Sequence, residues 1–325
     1  MPIQKKKKIL HVCKNFYPSI GGVERYVYEI GKWQVKRGYE VHVIARKKYG
    51  NEKNYRKNGI KVHFIEKKSF FANRKMIRNL VEEIKPNVIH SHDWNIALSL
   101  LNFKNHVCTF HGPEKHFLGK LLQQYVYKKM KNRIIVVSDY LKKKFPEANL
   151  IYEGVNLKEF KPCKKKHSGY VIGYLGRIDK ERNVDVIISA FKKLDVSDKK
   201  LLIAGIRDTV RIKKYCVGNI KYLGMVKKQI DFFSQIDCFV MIPKFEGFGL
   251  AWLEAMACEI PTIGNNAGIA KKLPILKAFN EEELVKRMKE AKDMKTNYRK
   301  WLVKNNFTWD KVVDNIISAY KKVEK

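Results

Sequence analysis

Residues 243–257 read P-K-F-E-G-F-G-L-A-W-L-E-A-M-A. Just before them, residues 236–242 (I-D-C-F-V-M-I) form a short apolar run suited to a buried parallel strand. After Gly249 the composition changes to good helix formers with an apolar face. The chain thus runs from strand through a glycine-bearing turn into a helix. Gly247 and Gly249 carry no Cβ, so their backbone N–H groups can come close to a ligand. A helix start also offers unpaired N–H groups and partial positive charge, which suits phosphate. Two carboxylates bracket this start, Glu246 in the turn and Glu254 on the helix. Taken alone, Glu246 could simply be an acid at the positive end of a helix, worth a few tenths to about 1 kcal/mol. Glu254 lies among Ala251, Trp252, Leu253, Ala255 and Met256, where a charge is costly without a partner. Carboxylates beside a phosphate site accept hydrogen bonds from hydroxyls, so a phosphorylated sugar or ribose is the ligand this chemistry suggests.

The remaining sequence sets the frame for that turn. A length of 325 residues suits two domains, and 45% hydrophobic content supports real cores. The 67 basic and 32 acidic residues give a formal net charge of +35. Residues 1–160 hold 33 basic and 13 acidic residues, so the excess is spread over both halves. Such a field favours nucleotide sugars, anionic membrane surfaces or nucleic acid, unless the lysines are merely solvated. Six cysteines with no CxxC spacing read as small core residues in a reducing compartment. No run approaches the roughly 20 apolar residues of a membrane span, so the expected location is cytoplasmic, soluble or peripheral. H-E-x-x-H, D-x-D and His/Cys clusters with metal spacing are missing from the sequence, and we expect neither metal nor cofactor.

Towards the N-terminus, residues 8–13 read as a strand, followed by a loop and Gly21-Gly22 at the start of a helix. Further strands are expected at 40–45, 60–65, 87–92 and 107–112, with a polar loop over 46–59 and a helix over 71–84. His92 and His111 fall at strand ends, where ligands bind in open parallel sheets. His42, His63 and His90 alternate within strands and read as structural. Residues 115–131 read as a helix with an apolar stripe of Leu118, Leu121, Leu122, Tyr125, Val126 and Met130 edged by lysines. Packing on the sheet is the ordinary use of such a helix, and a place in a membrane interface the alternative. A polar linker is expected over 160–168. A second strand–helix series follows from Tyr170, including a helix over 225–235. The chain ends in an amphipathic helix from Trp309.

The 246–261 stretch resembles the E-x7-E signature of retaining GT-B glycosyltransferases, in particular the family-4 group. Other segments resemble the same group: Pro18-x-x-Gly21-Gly22, the V-I-H-S-H of 88–92, T-F-H-G of 109–112, the segment ending at Asn156, and Gly176-Arg177. The resemblance implies an α/β fold of the GT-B type, two Rossmann-like domains facing across a cleft. The first would span residues 1–160, with helix 308–325 packing back on it. The second, 161–307, would bind the nucleotide sugar. The implied reaction moves a sugar from a nucleoside-diphosphate donor to a hydroxyl of a glycan or lipid-linked acceptor, with retention and without metal.

Implied donor-binding positions are Gly21, Gly22, Arg177, Lys180, Arg182, Gly247, Phe248, Gly249, Leu250 and Glu254. Implied catalytic positions are His111, Glu246, Arg177 and Arg182. In this reading the cations and loop N–H groups stabilise the departing diphosphate, Glu246 holds sugar hydroxyls, Glu254 the ribose, and His111 the sugar. Arg182 stands where the group has lysine, and Asn183 where it usually has glycine. Gly268 is kept, followed by Ile269, and Lys272 replaces an acid. These departures leave open a relative that binds its ligand without turnover. A nucleic-acid binder is the remaining class, and the sequence has neither aromatic–basic interleaving nor zinc spacing in its favour. Sugar, base and acceptor stay open.

Overall fold

In the computed structural model, residues 6–17, 19, 21–66, 68–114, 116–163 and 167–323 are described. Pro18, Lys115 and the linker lysines 164–166 therefore lie outside the described residues. The chain divides into two compact units, Met1–Glu153 with Trp309–Lys325, and Gly154–Thr308. The division falls before residue 160, because 154–160 is tied into the second unit. The Val155 N–H donates to the Phe307 carbonyl, Arg299 donates to the carbonyls of Leu157 and Phe160, and the Phe160 ring is fully buried. Phe160 is thus core rather than linker.

The first unit contains β1 (Lys8–Val12), α1 (Gly22–Lys36), β2 (Glu40–Arg46), β3 (Tyr55–Lys57), β4 (Ile60–Ile65), α2 (Phe70–Ile84), β5 (Val88–His92), α3 (Trp94–Ala97), β6 (His106–Phe110), α4 (Phe117–Met130), β7 (Ile134–Val136), α5 (Asp139–Lys144) and β8 (Asn149–Leu150). Its sheet has the order β3-β4-β2-β1-β5-β6-β7-β8. All pairings are parallel except β3 with β4, a hairpin whose first strand lies within the stretch expected to be loop, while β4 is the strand expected at 60–65. Asn58 at φ +49° and Gly59 turn that hairpin, and Asn-Gly is a strong short-range hairpin signal. Leu10, Val12, Ile44 and Ile89 pack with Ile77, Val81 and Ile84 of α2 in one continuous core.

The second unit contains β9 (Tyr170–Leu175), α6 (Val184–Lys193), β10 (Lys199–Ala204), α7 (Thr209–Lys213), β11 (Ile220–Gly224), α8 (Gln229–Phe233), β12 (Cys238–Val240), α9 (Leu250–Ala257), β13 (Thr262–Gly264), β14 (Leu276–Lys277), α10 (Glu281–Ala291) and α11 (Tyr298–Lys304). Its sheet is parallel throughout, in the order β11-β10-β9-β12-β13-β14. The helix α12 (Trp309–Lys321) belongs to the first unit. There Arg37, the C-cap of α1, bonds Asp314, and the Gln34 amide reaches the Tyr320 hydroxyl 286 residues away.

Two expected elements are shorter than the sequence suggests. The 225–235 helix is only the five-residue α8, and the apolar 236–242 run pairs over just three residues. The rest of that run is nevertheless buried, since Met241 and Ile242 continue as loop beneath the site. Four of the six cysteines are buried as expected, whereas Cys163 is exposed. Among the described residues, no helix is long and apolar enough to cross a membrane.

Candidate functional site

In a doubly wound sheet, ligands bind beyond the carboxyl ends of the strands where the strand order reverses. In the second unit that point lies between β9 and β12. The loops leaving these strands are 176–183 and 241–249, the two glycine-bearing segments marked in the sequence. They are knitted together. The Asn183 amide donates to the Ile242 carbonyl at 2.9 Å, and the Lys244 N–H donates to the Glu181 carbonyl at 2.7 Å. The Arg182 guanidinium pairs with the Glu246 carboxylate and reaches the Phe245 carbonyl at 3.4 Å.

Arg182 and Glu246, expected as separate contacts to diphosphate and sugar, thus meet each other. Arg182 is buried, whereas Arg177 and Lys180 on the same loop are more accessible. Asn183 has φ +54°, left-handed backbone that glycine adopts freely and Asn tolerates better than most residues. The replacement of glycine there is therefore a conformational match, with an added hydrogen bond from the Asn183 amide to the Ile242 carbonyl.

Gly249 caps α9 at φ +101°, and a Cβ on it would meet the Trp252 ring at 2.3 Å. Gly268 has φ +52°, and its missing Cβ would lie 2.3 Å from the Phe248 carbonyl oxygen. The Ile269 N–H donates to that same carbonyl at 2.8 Å. The 268–272 turn is thereby locked under the Gly247–Gly249 loop. Phe248 turns its side chain into the core. Glu254 is buried on α9, between Leu253 and Ala255.

In the first unit the reversal lies between β1 and β5. Gly21 caps α1, with Gly22 exposed in its first turn. His92, expected at an open strand end, is buried instead. Its two nitrogens lie 3.1 Å from His11 and 3.2 Å from His111. His111 packs against the Tyr26 ring, and its Nδ1 lies 3.9 Å from Glu153. His90 is also buried, bonded to Tyr320 and Thr109.

Burial lowers the His11 pKa to about 4, partly offset by its bond to Gln34. Burial, then neighbouring histidines, hold His90 and His92 well below the usual value. Among the described residues, His11, His90 and His92 form the group whose ligand atoms, all within 4.8 Å, could hold a metal ion. All six ring nitrogens already have hydrogen-bond partners, so a metal would have to break some of these bonds.

Sequence reasoning missed His11, Glu153 and Arg207. His11 sits inside a strand, and only register places it beside His90. Glu153 lies in the segment ending at Asn156, and nothing local there places it beside His111. Arg207 follows β10 and shares Asp179 with Arg177, each at 3.9 Å; its position just past a strand end was the available signal.

Beside the first switch point is a cavity of about 160 Å³, with Val12, Ile44 and Ile65 as apolar wall and Arg46 and Lys68 as cations. Phe70, at the start of α2, also lines it. The apolar stripe of α4 is split. Val126 and Met130 are buried, while Phe117, Leu118, Leu121 and Tyr125 are 77%, 67%, 52% and 48% exposed. The stripe read from spacing ignored Gly119 and Gln123, which are on the buried side together with Tyr127.

Two Rossmann-like units, each with polar loops gathered at its switch point, define a GT-B glycosyltransferase architecture. The Anabaena protein HepE, solved in complex with UDP and glucose, superposes with a TM-score of 0.75 at 14% identity, covering 97% of this chain and 100% of that one. The chain belongs to the glycosyl transferases group 1 family, whose profile matches residues 155–325, while that of glycosyltransferase family 4 matches 20–159. An uncharacterised glycosyltransferase of Methanocaldococcus jannaschii is 28% identical, over 95% of this chain and 96% of that relative. One subunit of the human phosphatidylinositol N-acetylglucosaminyltransferase is 23% identical, over 97% of this chain and 76% of its own.

Proposed function

We propose that this glycosyltransferase takes its sugar from a nucleoside-diphosphate donor, transfers it with retention and without metal, and delivers it to a hydroxyl of a glycan or lipid-linked acceptor. The observation that carries the reading is the Arg182–Glu246 pair above the glycine-bearing start of α9. An incoming diphosphate competes with Glu246 for the guanidinium. The freed carboxylate then accepts hydrogen bonds from sugar hydroxyls, while Arg182, Arg177, Lys180 and the N–H groups of Gly247, Phe248, Gly249 and Leu250 face the phosphates. Gly21 and Gly22 offer the backbone of a second helix start to the donor. The sugar carbon becomes oxocarbenium-like as the diphosphate departs. In the second unit Glu246 contacts the sugar and Glu254 the ribose; in the first, His111 is the residue that the resemblance gives to a sugar. The UDP and glucose bound by HepE support a uridine nucleotide as the first donor to try.

A thermal-shift screen of UDP-, GDP-, ADP- and CMP-sugars tests the donor, because a ligand of the folded state raises the midpoint. Silence with all four would sink the reading. Glu254→Gln should weaken binding of the sugar that scores, or its turnover, at least tenfold, about 1.4 kcal/mol, with the fold intact. A variant that unfolds yet binds normally in its folded fraction would make Glu254 structural.

The acceptor side points to a membrane surface. Phe117, Leu118, Leu121 and Tyr125 stand in solvent with Lys120, Lys128 and Lys129 around them. Phe70 and Phe71 at the start of α2 are exposed too, near Arg74, Lys75, Met76 and Arg78. Near an anionic bilayer each cation contributes on the order of 1 kcal/mol, and the rings add burial at the interface. The protein should co-sediment with anionic vesicles at low salt, release at high salt and ignore neutral vesicles. Phe117→Ser/Leu121→Ser should weaken that binding severalfold. Equal binding to neutral vesicles would replace the electrostatic account with apolar insertion, and no binding to either would favour a soluble acceptor.

A further inference from the structure

Strands β1, β5 and β6 lie side by side in parallel register, with His11 opposite His90 and His92 opposite Thr109. Successive residues alternate faces, so His90 and His92 share one face, and their opposite numbers join them. The result is a buried row of imidazoles that runs out to His111 at one end and across to α1 and α12 at the other. Its bonds are His111 Nε2 to His92 Nδ1 at 3.2 Å, His92 Nε2 to His11 Nδ1 at 3.1 Å, and His11 Nε2 to Gln34 Oε1 at 2.7 Å. They continue from Gln34 Nε2 to the Tyr320 hydroxyl at 3.0 Å, from that hydroxyl to His90 Nδ1 at 2.6 Å, and from His90 Nε2 to Thr109 Oγ1 at 2.7 Å.

A neutral imidazole has one N–H and one lone pair, so fixing one nitrogen fixes the other. The Gln34 carbonyl oxygen can only accept, so His11 Nε2 must donate to it. His11 Nδ1 is then an acceptor, and His92 Nε2 must donate to it in turn. His92 Nδ1 accepts, which puts the His111 proton on Nε2 and leaves a lone pair on its Nδ1. On the other side the Gln34 amide N–H donates to Tyr320, Tyr320 donates to His90, and His90 donates to Thr109. All six bonds run in one direction. Turning over the Gln34 amide reverses every one of them and puts the His111 proton on Nδ1, facing Glu153 at 3.9 Å. The row therefore has two self-consistent polarities, and the one amide in it selects between them.

We propose that Gln34 and Tyr320 are positioning residues that set, through His11 and His92, which nitrogen of His111 carries the proton. In the first polarity, with the Gln34 carbonyl oxygen facing His11, His111 presents an Nδ1 lone pair able to accept a hydrogen bond from a ligand hydroxyl. With the opposite polarity that nitrogen is a donor already turned to Glu153. The role of His111 towards a sugar rests on the function proposed above; the selection of its tautomer does not.

Long-range 15N–1H correlation spectra of histidine-labelled protein, with His111 assigned by a His111→Asn variant, report the tautomer without any sugar. The wild type should show the proton on Nε2. Gln34→Glu, which can still only accept from His11, should retain it. Gln34→Met removes the acceptor and leaves Glu153 as the nearest determinant, so His111 should move to Nδ1–H in at least half the population. Tyr320→Phe uncouples the amide from His90 and Thr109, so that turning it reverses three bonds rather than six, and should give a mixture. A wild-type proton on Nδ1, or a tautomer unmoved by both Gln34→Met and Tyr320→Phe, overturns the proposal. So does a zinc-dependent rise of the thermal midpoint with loss of the His11 and His92 N–H signals, which would make the row a metal site. A shifted tautomer with unchanged kcat for sugar transfer would leave the positioning role standing and remove His111 from the reaction.

Discussion

Arg182→Ala is expected to lower kcat for sugar transfer by about 10²–10³, the usual loss when one donor to a developing oxyanion is removed. The guanidinium is mostly buried, with side-chain exposure of 8% against 19% for its partner Glu246. Two things happen when it goes. The departing diphosphate loses a cation held in place by the Phe245 carbonyl and the 183–242 loop contact. Glu246 also loses its counter-charge, which costs stability because a partly buried carboxylate is left unpaired. These effects separate in the double variant Arg182→Ala/Glu246→Gln. Its melting temperature should recover most of the loss, while its kcat should not. Arg182→Lys keeps the charge but cannot span both the carbonyl and the carboxylate, so about a tenfold loss is expected. Steady-state kinetics with the donor from the binding screen, beside calorimetry, check all three. A kcat within twofold of wild type in Arg182→Ala would make the pair a structural tie between loops.

The second large effect is expected at Gly268. An L side chain at φ +52° costs about 1–2 kcal/mol, and a Cβ pressed against the Phe248 carbonyl adds roughly 1–3 kcal/mol. The atom in the way is backbone, so no rotamer change relieves it. Gly268→Ala should lower the melting temperature by roughly 5–15 °C and weaken donor binding at least tenfold, because the strain is relieved by moving the Gly247–Gly249 loop. An alanine variant with normal stability and normal affinity would show that the 268–272 turn gives way independently of the donor loop.

Most of the parallel strands were legible in the sequence because buried strands announce themselves as apolar runs between glycine and polar loops. The helix start at Leu250 was legible for the same reason, with Gly249 as its marker. What escaped were facts of register and facing. Nothing local to L-H-V at 10–12 says that His11 lies opposite His90, so the row of imidazoles became visible only once β1 and β5 were paired. The α4 stripe failed in a related way. Helical spacing correctly grouped Leu118, Leu121 and Tyr125, but it cannot say which side of the helix meets the sheet. The Arg182–Glu246 pair was read as two independent contacts because its members are 64 residues apart. Strand β3 was hidden by Arg56 and Lys57, which an edge strand tolerates and a central one does not.

The return of α12 to the first unit imposes an order on biosynthesis. Gln34 and Tyr320, joined in the finished protein, leave the ribosome 286 residues apart. At about 5–20 residues per second, that is a delay of roughly 15–60 s. Throughout it the α1 face that will receive Val312, Val313 and Ile316 is without its cover, and the buried histidine row is unfinished at the end nearest Tyr320. The second unit, contiguous over Gly154–Thr308, has all its strands in hand before the first can close. The half of the chain made first therefore waits for the last helix made before it can close.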